Sequence, residues 1–219
     1  MTTYILFDLD GTLTDPYEGI SKCISYALKG MNFPLHEDYK KFIGPPLTYS
    51  FVNFCGMSDK EALQAVKIYR ERFSSVGLFE NKVYEGIPHL LSFLKDSGAK
   101  LAVATSKPTC FSQRILDKFD LNKYFDVLVG SELNGERIEK SQVVKECIKK
   151  LGIKNSDLDF TYMIGDRKYD IIGAKENLVK SIGVEYGYAQ GDELKQYGAD
   201  YIVKDVSSLK QLLSSLINA

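Results

Sequence analysis

The sequence predicts an α/β fold: a parallel β-sheet covered by helices on both faces, interrupted near its start by a helical insert. Three observations carry this expectation. From about residue 84 onward, short apolar runs alternate with amphipathic helical patterns, the alternation that builds parallel sheets. One isolated apolar run, "TYILFD", opens the chain. Between the two, residues 16 to about 82 carry several helical patterns and no convincing strand. The expected boundaries are therefore 1–15 and 83–219 for the sheet domain and 16–82 for the insert.

Each element has its own signal. Within the insert, "SDKEALQAVKIYRERF" carries a capping box from Ser58 to Glu61 ahead of Ala62, Val66, Tyr69 and Phe73 at helical spacing. In "EGIPHLLSFLKDSGAK", Pro88 falls near a helix start, Leu90, Leu91 and Leu94 share a face, and Gly98 lies just past the end. "KLAVATS" is a buried strand, followed by a helix over about 109 to 118 and a strand at "FDVLVG". A helix from Ser141 to Leu151 can be closed by Gly152. "FTYMIGD" is the next strand, then come a short helix from about Tyr169, strands at "KSIGV" and "ADYIV", and a last helix with Leu209, Leu212, Leu213 and Leu216 in register.

Composition narrows the class of function. A length of 219 residues suffices for one sizeable core or a core with a smaller insert. A formal net charge of -1 provides no electrostatic footprint for nucleic acid or an anionic membrane. Cys23, Cys55, Cys110 and Cys147 are widely spaced, with only His36 and His89 to complete a soft metal site, so reduced thiols are expected. No run approaches the ~20 apolar residues of a membrane span, and a cytoplasmic protein is the default.

The chemistry-bearing residues gather at strand ends. In an open parallel sheet, ligands collect at the carboxyl ends of the strands. The first strand ends at Asp8, "KLAVATS" ends at Thr105 and Ser106, and "FTYMIGD" ends at Asp166, with Lys140 opening a helix near the same edge. Asp8 and Asp10 would share a side if the first strand continued past Leu9. Two unit charges about 4 Å apart repel by roughly 4 kcal/mol at an effective dielectric near 20. A metal, a shared proton or a well-solvated loop would relieve that repulsion.

"DLDGT", "ATS", a lone lysine and "GDRKYD", in that order, resemble the four motifs of the haloacid dehalogenase superfamily of phosphatases. The resemblance spans essentially the whole chain and implies a Rossmann-like core with a small helical cap inserted after the first motif. It implies that Asp8 is the nucleophile that forms an aspartyl-phosphate. Asp10 would be the general acid and base, a task suited to a carboxyl group of raised pKa. Gly11 would let the backbone turn sharply beside the phosphate. Thr105, backbone N–H groups near Ser106, and Lys140 would bind the phosphoryl group and neutralise its charge. Asp8, the carbonyl of Asp10 and Asp166 would hold Mg²⁺, with Asp170 supporting that site or orienting Lys140.

Two departures are local. The family often writes the lysine as Lys-Pro, whereas this chain has "IEKSQV". Where relatives commonly place a glycine after "DIxxA", this chain has "AKENLV", and Asn177 can adopt a left-handed backbone in its stead.

The implied substrate is a small phosphomonoester of the phosphoglycolate or nucleoside-monophosphate kind, with neither nucleic acid nor membrane as partner, acted on by a monomer or, alternatively, a dimer. Candidate selectors in the insert are the turn of Gly44, Pro45 and Pro46, and Arg70 and Arg72. Against each stands a structural role, as a stiff turn or a solvated helix face. A phosphosugar mutase shares the same core, and a phospho-aspartate signalling switch also combines aspartates, a hydroxyl and a lysine around Mg²⁺.

Overall fold

The computed structural model describes residues 2–218. The chain divides into two compact units, Met1–Thr14 with Val83–Ala219, and Asp15–Lys82. The first unit begins with β1 (Tyr4–Phe7), and two short strands, β2 (Thr14–Asp15) and β3 (Lys82–Val83), mark the unit boundary. At two residues each, those strands are too short to show any periodicity.

The second unit is helical: α1 (Tyr17–Gly30), α2 (Leu47–Cys55) and α3 (Asp59–Ser75). The Ser58–Glu61 capping box forms, and Ala62, Val66, Tyr69 and Phe73 are buried as their spacing predicts. Gly44, Pro45 and Pro46 lead directly into α2, with Pro46 as its N-cap residue. Arg72 is engaged within this unit. Its guanidinium grips Glu80 through two hydrogen bonds of 2.7 and 3.1 Å and donates to Cys23 Sγ at 3.2 Å. The Arg72 contact holds the Glu80 carboxyl down at about 2. Arg72 therefore braces α3 against α1, where the sequence left it as a candidate substrate selector; Arg70 is half-buried.

The rest of the first unit alternates as expected: α4 (Ile87–Asp96), β4 (Lys100–Pro108), α5 (Thr109–Lys118), β5 (Val127–Ser131), α6 (Lys140–Leu151), β6 (Thr161–Gly165), α7 (Lys168–Glu176), β7 (Lys180–Val184), α8 (Glu193–Gln196), β8 (Tyr201–Val203) and α9 (Val206–Ile217). The four-residue α8 has no sequence signal, being too short for an apolar stripe. Asn177 is not left-handed; it ends α7 at φ −108° and donates to the Ser141 and Gly173 carbonyls. The left-handed residue is its neighbour Leu178, at φ +59°. Asn177 earns its place through its side-chain amide, so the turn is displaced by one residue.

Six strands form one parallel sheet in the order β5-β4-β1-β6-β7-β8. Strict alternation in β1 buries Leu6 with Ala102, Ala104 and Met163 against Val143, Val144 and Cys147 of α6 and Ala174 of α7. Ile5, Phe7, Leu101, Val103 and Ile164 project to the other face and are wholly buried as well. Coverage on both faces explains why these strands are continuous apolar runs. The chain steps outward from β1 through β4 to β5, then crosses back to β6. This reversal beside β1 opens a crevice at the carboxyl ends of β4, β1 and β6.

Candidate active site

Register fixes which side chains meet in that crevice. Phe7 pairs with Val103 on one side and Ile164 on the other, so Asp8, Thr105 and Asp166 all emerge just past the paired segments. The Asp8 N–H continues the ladder by donating to the Ile164 carbonyl at 2.8 Å. One oxygen of Asp8, Oδ1, accepts the Leu9 N–H at 2.7 Å. The apolar strand thus delivers a buried carboxylate to a fixed point.

Lys140, the first residue of α6, reaches the same point. Its Nζ lies 2.9 Å from Asp8 Oδ1 and 2.8 Å from Asp170 Oδ1, and donates to the Ala104 carbonyl at 3.0 Å. The ammonium thus donates to one buried carbonyl and is ion-paired with two buried carboxylates. Burial alone would lower the Lys140 pKa, but the charges of Asp170 and Asp8 outweigh it and raise the value. Lys140 is thus a fixed cation.

Asp166 is held at both oxygens: Thr12 donates its hydroxyl to Oδ1 at 3.3 Å and the Tyr188 N–H donates to Oδ2 at 2.7 Å. Asp170 accepts the Arg167 N–H at 3.1 Å through Oδ2 while Oδ1 faces Lys140. Backbone shape makes this packing possible. Gly11 has φ +82°, and a Cβ there would lie 2.1 Å from Asp166 Oδ2. Gly187 sits against the Gly11 carbonyl and Asp166, where a Cβ would approach within 2.3 and 2.4 Å. Both positions need a residue without a side chain.

The charges do not balance. Asp8, Asp166 and Asp170 offer oxygens that lie within 4.8 Å of one another, and all three are buried. Lys140 is the cation among them, while the Arg167 guanidinium turns to Glu193, Nε to Oε1 at 2.6 Å. Burial, then repulsion from Asp170 and Asp8, pushes Asp166 well above the usual carboxylate range. Burial also raises Asp170 against the opposing pull of Lys140. A pocket of hard carboxylate oxygens carrying excess negative charge fits a divalent cation, and the oxygen-only donor set fits Mg²⁺.

Asp10 stands outside this carboxylate cluster. Its Oδ2 is 2.7 Å from the Nζ of Lys107, whose side chain is only 7% exposed. Burial raises the Asp10 pKa, Lys107 opposes it, and Asp8 adds to it. Thr105 is buried, its Oγ1 accepting the Lys107 N–H at 3.2 Å, and the Ser106 carbonyl accepts from Ser131 Oγ at 2.7 Å. The sheet register slips between Ala104 and Pro108, and this irregularity displaces Thr105, Ser106 and Lys107 from regular pairing.

Lys107, Thr12, Gly187 and Tyr188 had no place in the sequence reading. Lys107 follows "ATS" directly and could have been flagged as lying two residues beyond Thr105. Tyr188 acts through its backbone N–H, which no side-chain pattern reveals.

Fold and site together define a hydrolase whose carboxylates and lysine converge at the switch point of a parallel sheet, and the sequence comparisons agree. The chain belongs to the haloacid dehalogenase-like hydrolases, whose family model matches residues 5–184. A 5'-nucleotidase of Pseudomonas aeruginosa is 42% identical over 96% of this chain and 95% of its own length. The tyrosine-protein kinase PtkA of Mycobacterium tuberculosis is 31% identical over 97% of this chain and 72% of its own. A phosphoglycolate phosphatase of Colwellia psychrerythraea is 27% identical over 97% and 96%. The crystal structure of a predicted phosphatase from Clostridium acetobutylicum superimposes with a TM-score of 0.92 at 47% identity, covering 98% of this chain and 99% of that one. The chain is a phosphatase-type member of the family, near the 5'-nucleotidase and phosphoglycolate phosphatase branch. No described helix is long and apolar enough to cross a membrane.

Proposed function

We propose that this protein is a Mg²⁺-dependent phosphomonoesterase that works through an aspartyl-phosphate on Asp8. The observation that carries the proposal is the buried cluster of Asp8, Asp166 and Asp170 around one fixed ammonium. Asp8 attacks phosphorus in line, the ester P–O bond breaks, and Asp10 gives its proton to the departing alkoxide. Water then loses a proton to Asp10 and attacks the same phosphorus, releasing inorganic phosphate and restoring Asp8. Lys140 neutralises charge on Asp8 and the phosphoryl oxygens, and Thr105 with the N–H groups near Ser106 binds those oxygens. Asp8, the Asp10 carbonyl and Asp166, supported by Asp170, would hold magnesium, which when bound supplies positive charge to the phosphoryl oxygens.

The helical unit is assigned the part of a cap that reads the leaving group. The substrate class that fits is a small phosphorylated metabolite, of the phosphoglycolate or nucleoside-monophosphate kind, supported by the likeness to a 5'-nucleotidase and a phosphoglycolate phosphatase. The test is release of phosphate from p-nitrophenyl phosphate, followed by ranking a panel of metabolite phosphates by kcat/KM. Steady turnover is expected with magnesium and none with EDTA. Asp8→Asn should fall by about a thousandfold or more. Retention of a tenth of the activity would remove Asp8 as the nucleophile, and a single stoichiometric labelling event would favour a switch.

A further inference from the structure

Lys107 is a second active-site cation, and the phosphoryl-transfer scheme above assigns it nothing. It lies on the irregular tail of β4, two residues past Thr105, with its ammonium 2.7 Å from Asp10 Oδ2. A solvated surface lysine would be exposed, but this side chain is nearly buried. The other oxygen of the same carboxylate, Asp10 Oδ1, is also buried, and it has no hydrogen-bond partner among the described residues. Buried polar atoms are nearly always paired, so an unpaired one needs a reason, and a catalytic role is one. Asp10 is thus anchored at one oxygen and open at the other.

We propose that Lys107 is the positioning residue for proton transfer: holding Asp10 through Oδ2, it makes Oδ1 the oxygen that exchanges the proton. In the first half-reaction the Oδ1–H bond breaks as the ester P–O bond breaks, and the proton goes to the leaving alkoxide. The ammonium stabilises the carboxylate left behind. In the second half-reaction a water proton returns to Oδ1 while the water oxygen bonds to phosphorus and the Asp8–phosphate bond breaks. Without Lys107 the carboxylate would rotate about its Cβ–Cγ bond, and the proton would be out of line for part of the time.

This inference rests on Asp10 being the acid and base of a phosphatase, and leaving-group dependence separates the two. An aryl leaving group such as p-nitrophenolate departs with little need of a proton, whereas an alkoxide needs one. The measurement is kcat/KM, which includes the departure step, for p-nitrophenyl phosphate and for glycerol 2-phosphate, in wild type, Lys107→Met and Lys107→Gln. Loss of a positioned general acid should cost Lys107→Met about 100-fold or more on the alkyl ester and no more than about 10-fold on the aryl ester. Lys107→Gln, which keeps a donor for Oδ2, should fall between, with the same bias, and it carries the test if the methionine variant does not fold. Equal losses on both esters would make Lys107 a phosphate-binding or purely structural residue and overturn the inference alone. Unchanged rates would overturn it too. A wild-type protein that turns over neither ester would overturn the phosphatase reading, and this inference with it.

Discussion

Replacing Lys140 by methionine removes the cation at which β4, α6 and α7 meet while keeping most of the side-chain volume. The ammonium is 2.9 Å from Asp8, 2.8 Å from Asp170 and 3.0 Å from the Ala104 carbonyl, with its side chain 4% exposed. Truncation leaves the Asp8, Asp170 and Asp166 carboxylates facing one another without a counter-charge. Breaking a buried pair on one side costs about 3–5 kcal/mol. For a chain of this length that corresponds to a fall in Tm of roughly 6–20 °C. The direction of the pH dependence follows from the shifts. Asp166 and Asp170 are raised above 3.8 in the metal-free fold, so the folded state binds more protons than the unfolded chain. Their contribution is fully present below the unfolded value and lost as pH rises through the folded values. Lys140 pulls Asp170 down, so its removal raises Asp170 further and widens that loss. Urea unfolding in EDTA, followed by circular dichroism, should therefore show a larger deficit at pH 7.5 than at pH 5. A deficit under about 1 kcal/mol at pH 7.5, or one equal at both pH values, would refute the view of Lys140 as the counter-charge of a crowded carboxylate site.

Two further substitutions probe packing and backbone. Gly187→Ala would put a methyl group 2.3 Å from the Gly11 carbonyl and 2.4 Å from the Asp166 side chain. Displacing Asp166 should weaken magnesium binding, measured by calorimetry, about tenfold or more, and unchanged affinity would show that the 187 loop does not position that carboxylate. Leu178 is left-handed at φ +59° and 78% exposed, so it carries backbone strain with little burial in return. Leu178→Gly should raise stability by about 0.5–1 kcal/mol at unchanged activity, read from the thermal midpoint; a fall would mean that this leucine makes a contribution its exposure does not suggest.

The sheet was legible because both of its faces are covered. Strands buried on two sides must be apolar throughout, and "YILF", "LAVA" and "YMIG" are short enough to be told from helices by length alone. The α3 start was legible because Ser58 and Glu61 satisfy each other's backbone donors locally. What escaped depends on contacts between residues far apart in sequence. Arg72 carries no sign that Glu80 will hold it, and Asn177 carries none that its amide will be drawn to Ser141 across α6. At the site, Asp8, Asp166 and Lys140 could be placed because strand ends and a helix start lie at one edge of a parallel sheet, while Asp170 was named only through the family resemblance. Lys107 stands beside "ATS" in the sequence, but its turn toward Asp10 depends on the register slip in β4, and a bulge leaves no trace in apolar alternation.

The four aspartates of the crevice differ in how their oxygens are held, and the difference bears on which of them reacts. Asp166 is fixed at Oδ1 and Oδ2, by Thr12 and by the Tyr188 N–H, and Asp170 by Lys140 and the Arg167 N–H. A carboxylate tethered twice can still lend a lone pair to a cation, but it cannot swing toward phosphorus without breaking a buried hydrogen bond. Among the described residues, Asp8 is tethered through Oδ1 alone, by Leu9 and Lys140, and Asp10 through Oδ2 alone, by Lys107. Each therefore keeps one oxygen for a reacting partner while its position is fixed by the other. The repulsion expected between neighbouring aspartates is met by a lysine beside each, Lys140 at Asp8 and Lys107 at Asp10. The roles proposed above, nucleophile for Asp8 and travelling proton for Asp10, thus fall on the two carboxylates that keep an untethered oxygen, and the cation is left to the twice-held Asp166 and Asp170.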